Sequence, residues 1–316
     1  MRFNSGSPAS VRTYIVSLLA LLGLLSLSAE VAARYGFPKI SRIRQRIESE
    51  HVAARHLTGD RQRPAILVLG NSLVERGVDI NSLQAQLSEY KVLRFVVSDT
   101  SYFDWYYGLR RLFSEGARPQ VVLLGLSARQ LLNNRIEGNL STNVLIQGTD
   151  IFQLARELHK DNTTLSNLYF GHFSAFYSGS AQFRKWLLAS ELMPDLQKLG
   201  SAFSPVPRPL PASSEIVSMA MARLRALDEV CRMNGARFVL LIPPSPNPSE
   251  AQFKALEQAG FESGVDVLAP AENDEFSGDL FSDGFHLNRT GEGKFTVLLA
   301  SSLKRKLSDR MNANLF

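Results

Sequence analysis

Short apolar runs that alternate with longer segments of helical character constrain the fold of this chain most strongly. The apolar runs lie at 65–69, 92–97, 120–124, 238–242 and 265–268. The helical segments lie at 73–87, 103–114, 215–234, 248–259 and 290–308. Short, continuously apolar strands are typical of a parallel sheet that is covered on both faces. The alternation therefore predicts an α/β fold, a three-layer sandwich around a five-stranded parallel sheet.

One long segment, 128–212, interrupts this alternation. It is rich in asparagine and aromatic residues and closes with a proline-rich stretch at 205–211. Prolines at this density neither continue a helix nor join the centre of a sheet. The pattern predicts a mostly helical insertion in which the aromatic side chains either line a substrate groove or form a satellite core.

The N-terminus carries a run, Tyr14–Ala29, that is almost wholly apolar. Extended to Ala33, it approaches the roughly 20 residues that cross a hydrocarbon core. We therefore predict a signal-anchor or transmembrane segment over 1–35, with cleavage of a signal peptide near 26–29 as the alternative.

The side of the membrane on which the remaining chain lies is harder to read from the sequence. Basic residues flank the apolar run on both sides, and the larger downstream cluster favours the cytoplasmic side by the positive-inside rule. The basic start and apolar middle nevertheless resemble a secretory signal, and no second span follows. We predict a single-pass protein of the inner membrane whose main domain lies on the exported, periplasmic side.

The sequence between the apolar run and the first strand, 36–60, alternates basic and apolar residues at helical spacing. It predicts a juxtamembrane amphipathic linker helix that either rests on the bilayer or forms a solvated stalk. The α/β domain is expected to follow over 61–316.

Composition excludes several classes of function. The single cysteine, Cys231, rules out an intramolecular disulfide, and the five histidines are scattered without zinc-ligand spacing. Neither of the glycine-rich patterns that bind nucleotides occurs, and no basic-aromatic nucleic-acid motif stands out. We expect no metal, no cofactor and no nucleic-acid partner.

Two distant segments offer a complete reaction mechanism. The first strand ends in Gly70-Asn71-Ser72, and the loop before the last helix reads Asp283-Gly284-Phe285-His286. A serine hydroxyl becomes a useful nucleophile when an imidazole removes its proton and a carboxylate orients that imidazole. Alone, each segment also has a purely structural reading, since Ser72 suits a helix N-cap. Likewise, 283–290 suits a polar loop in which Asn288 or Thr290 caps the last helix.

Together these motifs resemble the SGNH hydrolase family, also called GDSL-like esterases. In that family the first block is usually Gly-Asp-Ser and carries the nucleophile, and the last block is Asp-x-x-His. The resemblance implies a flavodoxin-like sandwich with Ser72, Asp283 and His286 as catalytic residues. It covers residues 64–306 except for the insertion.

The two middle blocks of that family are altered in this chain. Where the family has a glycine after the second strand, the chain reads Ser98-Asp99-Thr100-Ser101, and where the family has Gly-x-Asn it reads Gly125-Leu126-Ser127. We expect the oxyanion hole to be formed by N–H groups of Ser72, Thr100 and Ser101, with the hydroxyl of Ser127 as a further donor.

The sequence therefore predicts a membrane-tethered serine esterase or O-acyltransferase. The resemblance implies acylated carbohydrate of the cell envelope as substrate and envelope polysaccharide machinery as partner. The altered middle blocks leave an alternative, a catalytically degenerate domain that binds glycan or scaffolds an envelope assembly.

Overall fold

A computed structural model describes residues 8–36, 39, 41–60, 62–136, 139–158, 162–180, 213–246, 249–271 and 276–313. Its strands are β1 (Ala65–Gly70), β2 (Lys91–Val96), β3 (Val121–Gly125), β4 (Arg237–Leu241) and β5 (Asp266–Leu268). All four pairings are parallel, in the order β2-β1-β3-β4-β5. The predicted α/β fold with a five-stranded parallel sheet is confirmed.

The helices flank and connect these strands. The N-terminal half contains α1 (Pro8–Tyr35), α2 (Arg42–Arg55), α3 (Ser72–Glu75), α4 (Ile80–Gln86), α5 (Tyr102–Ser114), α6 (Ala128–Leu131) and α7 (Asn139–Leu145). A short 3-10 turn at Gly148–Asp150 follows, and then come α8 (Ile151–Glu157), α9 (Asn162–Phe173), α10 (Ser213–Met233), α11 (Glu250–Ser263) and α12 (Arg289–Ala313).

The sheet has an apolar layer on each face because successive side chains of a strand point to opposite sides. Leu67 and Leu69 of β1 belong to a buried cluster with Trp105 of α5 and Leu224 of α10. The alternate residues of β1 belong to a second cluster with α4 and α12 that includes Phe295. This arrangement is the predicted three-layer sandwich.

One predicted helix, 73–87, is instead two helices, α3 and α4. The Asp79 side chain accepts hydrogen bonds from the backbone N–H groups of Asn81 and Ser82, so it caps a new helix start. In a continuous helix, these two N–H groups would instead donate to backbone carbonyl groups of the preceding turn. The break leaves α3 as a single turn that begins with Ser72.

Helix α2, within the predicted linker 36–60, packs against the edge strand β2. Ile47 is buried, and the Glu50 carboxylate accepts a hydrogen bond from the Val96 backbone N–H at 2.9 Å. The same carboxylate contacts the Arg94 guanidinium at 3.1 Å. An edge strand has unpaired backbone donors, and here the carboxylate satisfies one of them. Helix α2 is thus part of the α/β layer structure as well as a connection.

Helix α1 is long and apolar enough to cross a membrane over Val11–Tyr35, and its most apolar window is unburied. The insertion, 128–212, begins with helices α6 to α9, followed by helical residues at 175–180. The predicted proline-rich loop at 205–211 lies outside the described residues.

Candidate active site

Ser72 is the first helical residue of α3, directly after the carboxyl end of β1. The preceding residue, Asn71, is the N-cap, because its side-chain oxygen accepts a hydrogen bond from the Leu73 backbone N–H at 3.0 Å. The structural reading of Ser72 as the cap is therefore wrong. Since Asn71 fills that role, the Ser72 hydroxyl is free to bond elsewhere.

Asn71 also ties the loop after β1 to the loop after β2. Its buried side-chain amide donates a hydrogen bond to the Thr100 carbonyl at 3.0 Å. The two partners are a backbone N–H and a backbone C=O, so they fix which end of the amide is which. Asn71 therefore fixes the position of the loop that carries Ser72 relative to the loop that carries Thr100.

His286 lies beside Ser72 although 214 positions separate them in the chain. The distance from His286 Nε2 to Ser72 Oγ is 2.9 Å, and the distance from His286 Nδ1 to Asp283 Oδ2 is 2.8 Å. An ionised carboxylate only accepts hydrogen bonds, so Nδ1 carries the proton and Nε2 is left to accept from the hydroxyl. The geometry is that of a serine–histidine–aspartate relay.

Backbone groups hold the Asp283 carboxylate in place. Its Oδ1 accepts hydrogen bonds from the N–H groups of His286 at 2.8 Å and Phe285 at 3.1 Å. The His286 backbone N–H and then the His286 imidazole hold the pKa of Asp283 well below its usual range. The carboxylate therefore stays ionised at neutral and mildly acidic pH.

The loop that carries Asp283 and His286 is closed by its own backbone. Phe281 and Leu287 form an antiparallel bridge, and the Ser282 N–H donates to the His286 carbonyl at 2.8 Å. The Asn288 side chain accepts from the N–H groups of Thr290 and Gly291, which caps α12. The loop therefore caps α12 and also positions Asp283 beside the His286 imidazole.

Two of the four predicted oxyanion donors have open N–H groups. Within the described chain, the backbone N–H groups of Ser72 and Thr100 have no protein acceptor, and the Thr100 hydroxyl donates to the Val97 carbonyl. Because Asn71 links these two segments, both open N–H groups belong to the loops beside the Ser72 hydroxyl. Of the four predicted donors, these two keep an N–H group that is not engaged in the capping contacts of a neighbouring helix.

The other two predicted donors are engaged elsewhere. The Ser101 N–H and hydroxyl both contact Asp104 Oδ2, at 2.9 Å and 3.1 Å. The Ser127 N–H and hydroxyl both contact Gln130 Oε1, each at 3.0 Å. Each pair is a capping box at a helix start, so neither serine presents an open donor to substrate. The pattern of serine followed three residues later by an acid or amide was readable from the sequence.

A cavity of about 320 Å³ lies at the carboxyl ends of β3 to β5 and was not anticipated from the sequence. Apolar side chains form much of its wall: Pro243, Pro244, Phe276 and Phe285. Phe285 meets His286 edge to face, with ring centroids 5.0 Å apart. Phe285 therefore both lines the cavity and contacts the His286 imidazole.

Among the described residues, no group of three or more His, Cys, Asp or Glu side chains lies close enough to hold a metal ion. The site is built from side-chain and backbone hydrogen bonds.

No protein-family description matches the chain, and no curated protein matches it either. Solved structures similar to it include that of TesA, at 14% identity and a TM-score of 0.41, covering 76% of this chain and 98% of that one. Another is a GDSL-like lipase from Bacteroides thetaiotaomicron, at 9% identity and a TM-score of 0.41, covering 84% and 97%. The function proposed below rests on the contacts of this chain's own residues.

Proposed function

We propose that this protein is a serine esterase or O-acyltransferase that works through an acyl-enzyme on Ser72. The observation that carries the proposal is the 2.9 Å contact between Ser72 Oγ and His286 Nε2, with Asp283 on the other ring nitrogen. A hydroxyl, a base and an orienting acid in this order are what acyl transfer by serine requires.

In the first half-reaction the Ser72 oxygen attacks an ester carbonyl while His286 Nε2 takes the hydroxyl proton. The negative charge that develops on the carbonyl oxygen is stabilised by the N–H groups of Ser72 and Thr100. The tetrahedral intermediate collapses when the carbon–oxygen bond to the leaving alcohol breaks and His286 returns the proton to that oxygen. The acyl group then remains as an ester on Ser72.

In the second half-reaction His286 removes a proton from an incoming hydroxyl, which attacks the acyl ester. Water as the acceptor gives hydrolysis, whereas a sugar hydroxyl gives transfer of the acyl group. The Asp283 carboxylate stabilises the imidazolium in both halves, since it stays ionised beside Nδ1.

The sheet order suggests where the alcohol part of the substrate binds. The open N–H groups lie in the loops after β1 and β2, whereas the cavity lies beyond β3 to β5 beside Phe285. The leaving oxygen must be near His286 to receive its proton, so the alcohol is placed toward the cavity. Aromatic faces beside polar groups such as Gln130 suit a carbohydrate. We therefore take an O-acylated polysaccharide of the cell envelope as the substrate class.

The same proposal places the α/β domain on the exported side of a membrane, with α1 as its anchor. Helix α1 has the length and composition of a single span. A tethered enzyme of this kind would act on polysaccharide as it passes through the envelope, together with the machinery that makes or exports it.

A fluorophosphonate probe tests the enzyme proposal directly, because it reacts with an activated serine hydroxyl. We expect the full-length protein in detergent to be labelled and Ser72→Ala to lose the label. The matched control is Ser301→Ala, which removes an exposed hydroxyl of α12 and should keep full labelling. No labelling of folded protein would instead favour a glycan-binding or scaffolding domain.

A further inference from the structure

An exposed aromatic surface lies in the insertion, far in sequence from the proposed catalytic residues. We define it by Tyr169, Phe170, Phe173 and Phe176, whose exposed fractions are 47%, 55%, 49% and 56%. Tyr169 and Phe173 contact each other with ring centroids 4.5 Å apart. A cluster of exposed aromatic rings on a protein surface is typical of a site that binds another protein, a ligand or a membrane.

The segment that carries this aromatic surface is uncharged. Residues 162–180 contain no Asp, Glu, Lys or Arg, and His172 is the single ionisable ring among them apart from tyrosines. A helix that faces water normally carries charged side chains on its outer face. An outer face built from aromatic rings, serine and asparagine instead matches the amphipathic zone between lipid headgroups and acyl chains.

The aromatic surface is tied directly to the end of the apolar helix. The Glu30 carboxylate of α1 accepts hydrogen bonds from the Ser174 hydroxyl at 2.7 Å, the Ala175 N–H at 2.8 Å and the Phe176 N–H at 3.1 Å. The Arg34 guanidinium donates to the Phe173 carbonyl at 2.9 Å. These four contacts fix the turn that separates Phe173 from Phe176 against one turn of α1.

The position of that turn along α1 matches the membrane boundary. The almost wholly apolar run ends at Ala29, and Glu30 is the next residue, about 1.5 Å further along the helix axis. The interfacial layer on each side of a bilayer is roughly 5–7 Å thick. If α1 spans with its apolar run in the hydrocarbon, Glu30 and the rings beside it lie in this layer.

We propose that the aromatic surface inserts into the interfacial layer of the same bilayer that α1 crosses. The proposal rests on the membrane anchoring proposed above. Its occupant is lipid, because the surface is continuous with the span and fixed to its end by Glu30 and Arg34. Two attachments, a span and a surface contact, restrict rotation of the domain about α1 and hold the active site in one orientation to the membrane.

Tryptophan fluorescence in vesicles of brominated phosphatidylcholine tests this inference on the full-length protein. Three single substitutions report on three places: Phe176→Trp on the aromatic surface, Leu22→Trp in α1, and Phe261→Trp on α11, where the ring is 89% exposed. Fluorescence is taken as the increment over the unsubstituted protein, which has two tryptophans. All three positions are exposed in the structure, so the substitutions should fold.

We expect Phe176→Trp to lose most of its added fluorescence with bromines near the headgroup end of the acyl chains. Leu22→Trp should be quenched most by bromines near the chain ends, and Phe261→Trp should keep its signal with both lipids. Quenching of Leu22→Trp without quenching of Phe176→Trp would overturn the aromatic contact and leave the anchor standing. Failure to quench Leu22→Trp would overturn the anchor and the contact together. Quenching of Phe261→Trp equal to that of Phe176→Trp would also contradict a specific surface.

Discussion

Asp283 is held by three hydrogen bonds from residues 285 and 286, and its role in the relay is to set the imidazole tautomer. In Asp283→Asn a neutral amide faces Nδ1, so the tautomer with Nε2 as acceptor is no longer favoured. We predict that the rate of fluorophosphonate labelling falls about a hundredfold to ten-thousandfold while the fold is retained. The measurement is the labelling rate constant, with thermal unfolding as the check of folding.

Arg76 provides the comparison for that variant. Its guanidinium lies 3.5 Å from Asp283 Oδ2, but both side chains are about half exposed. Exposed ion pairs contribute little, so Arg76→Gln should change the labelling rate by no more than about fivefold. Equal losses in Arg76→Gln and Asp283→Asn would contradict the special role of the carboxylate.

Asn71 makes a second residue-scale prediction. Its amide donates to the Thr100 carbonyl, and an aspartate would keep the cap to Leu73 but set a carboxylate against that carbonyl. We predict that Asn71→Asp lowers the free energy of unfolding by about 1–3 kcal/mol and slows labelling, because the Ser72 and Thr100 loops separate. Thermal unfolding and labelling rates measure the two effects, and unchanged values for both would contradict the proposed bridge.

The residue types of the relay are readable from the sequence, but the contacts that hold them in place are not. Serine, histidine and aspartate were readable because each follows a predicted strand end in a motif with chemical meaning. The amide bridge from Asn71 to Thr100 joins two loops through a backbone carbonyl, and no side-chain pattern signals such a partner. Ser101 and Ser127 were assigned as donors because their positions suggested it, whereas their own caps engage them.

At the scale of elements, two paired glycines allow α3 to approach the sheet. Gly70 of β1 lies opposite Gly125 of β3, and a Cβ at either position would run into the Val74 side chain of α3. Val74 is buried there, two residues beyond Ser72. The close approach sets the height of the nucleophile above the sheet edge.

We predict that Gly125→Ala pushes Val74 outward, lowers the free energy of unfolding by about 1–3 kcal/mol and slows labelling of Ser72. The double variant Gly125→Ala/Val74→Ala removes the clashing methyl groups and should recover part of the labelling rate. Labelling rates and unfolding midpoints are measured for the unsubstituted protein, Gly125→Ala, Val74→Ala and the double variant, which together form a double-mutant cycle. A double variant whose losses equal the sum of the single losses would contradict direct contact.

Strands were predictable as elements because each is a short, largely apolar run, and the predicted and observed ranges differ by only one residue at the ends. The division of 73–87 into α3 and α4 was missed because helical periodicity outweighed the capping signal at Asp79. The cavity beside Phe285 depends on how loops from three strands meet, so residue patterns along the chain do not reveal it.

At the scale of the whole molecule, a cluster of charged side chains joins strands β4 and β5 to the last helix, α12. The Asp266 carboxylate of β5 contacts Arg237 of β4, at 2.6 Å, and Lys306 of α12, at 3.0 Å. Burial raises the pKa of Asp266, but hydrogen bonds and charge from Lys306 and Arg237 outweigh burial and hold it below its usual range. A lowered pKa in the folded state means that this carboxylate stabilises the fold when ionised.

We predict that Asp266→Asn lowers the free energy of unfolding by about 1–3 kcal/mol at pH 7, because two cations lose their carboxylate. The difference from the unsubstituted protein should be constant down to about pH 5. It should shrink only below about pH 4, where the unfolded carboxyl and then the folded one are protonated. Thermal unfolding across this pH range measures it, with Glu250→Gln, an exposed pair with Lys254, as the neutral control. A difference that grows as pH falls would contradict the sign.

The general organisation of the molecule was partly readable from the sequence. The length and apolarity of α1 predict a span without reference to the rest of the chain. Contacts of Glu30 with residues 174–176 bring together positions about 145 apart, and the sequence shows Glu30 only as a charge at the far edge of the span. The packing of α2 against β2 likewise depends on residues far apart in the sequence, because the Glu50 carboxylate accepts a hydrogen bond from the Val96 N–H.

The central claim is that Ser72 becomes acylated with His286 as its base. Intact-mass analysis after mixing with a short-chain p-nitrophenyl ester, followed by peptide mapping, tests it most directly. We predict one added acyl group located on Ser72 and no acyl group in His286→Ala. His56→Ala, at an exposed histidine, should behave like the unsubstituted protein. An acyl group on a different residue, or undiminished acylation of Ser72 in His286→Ala, would contradict it.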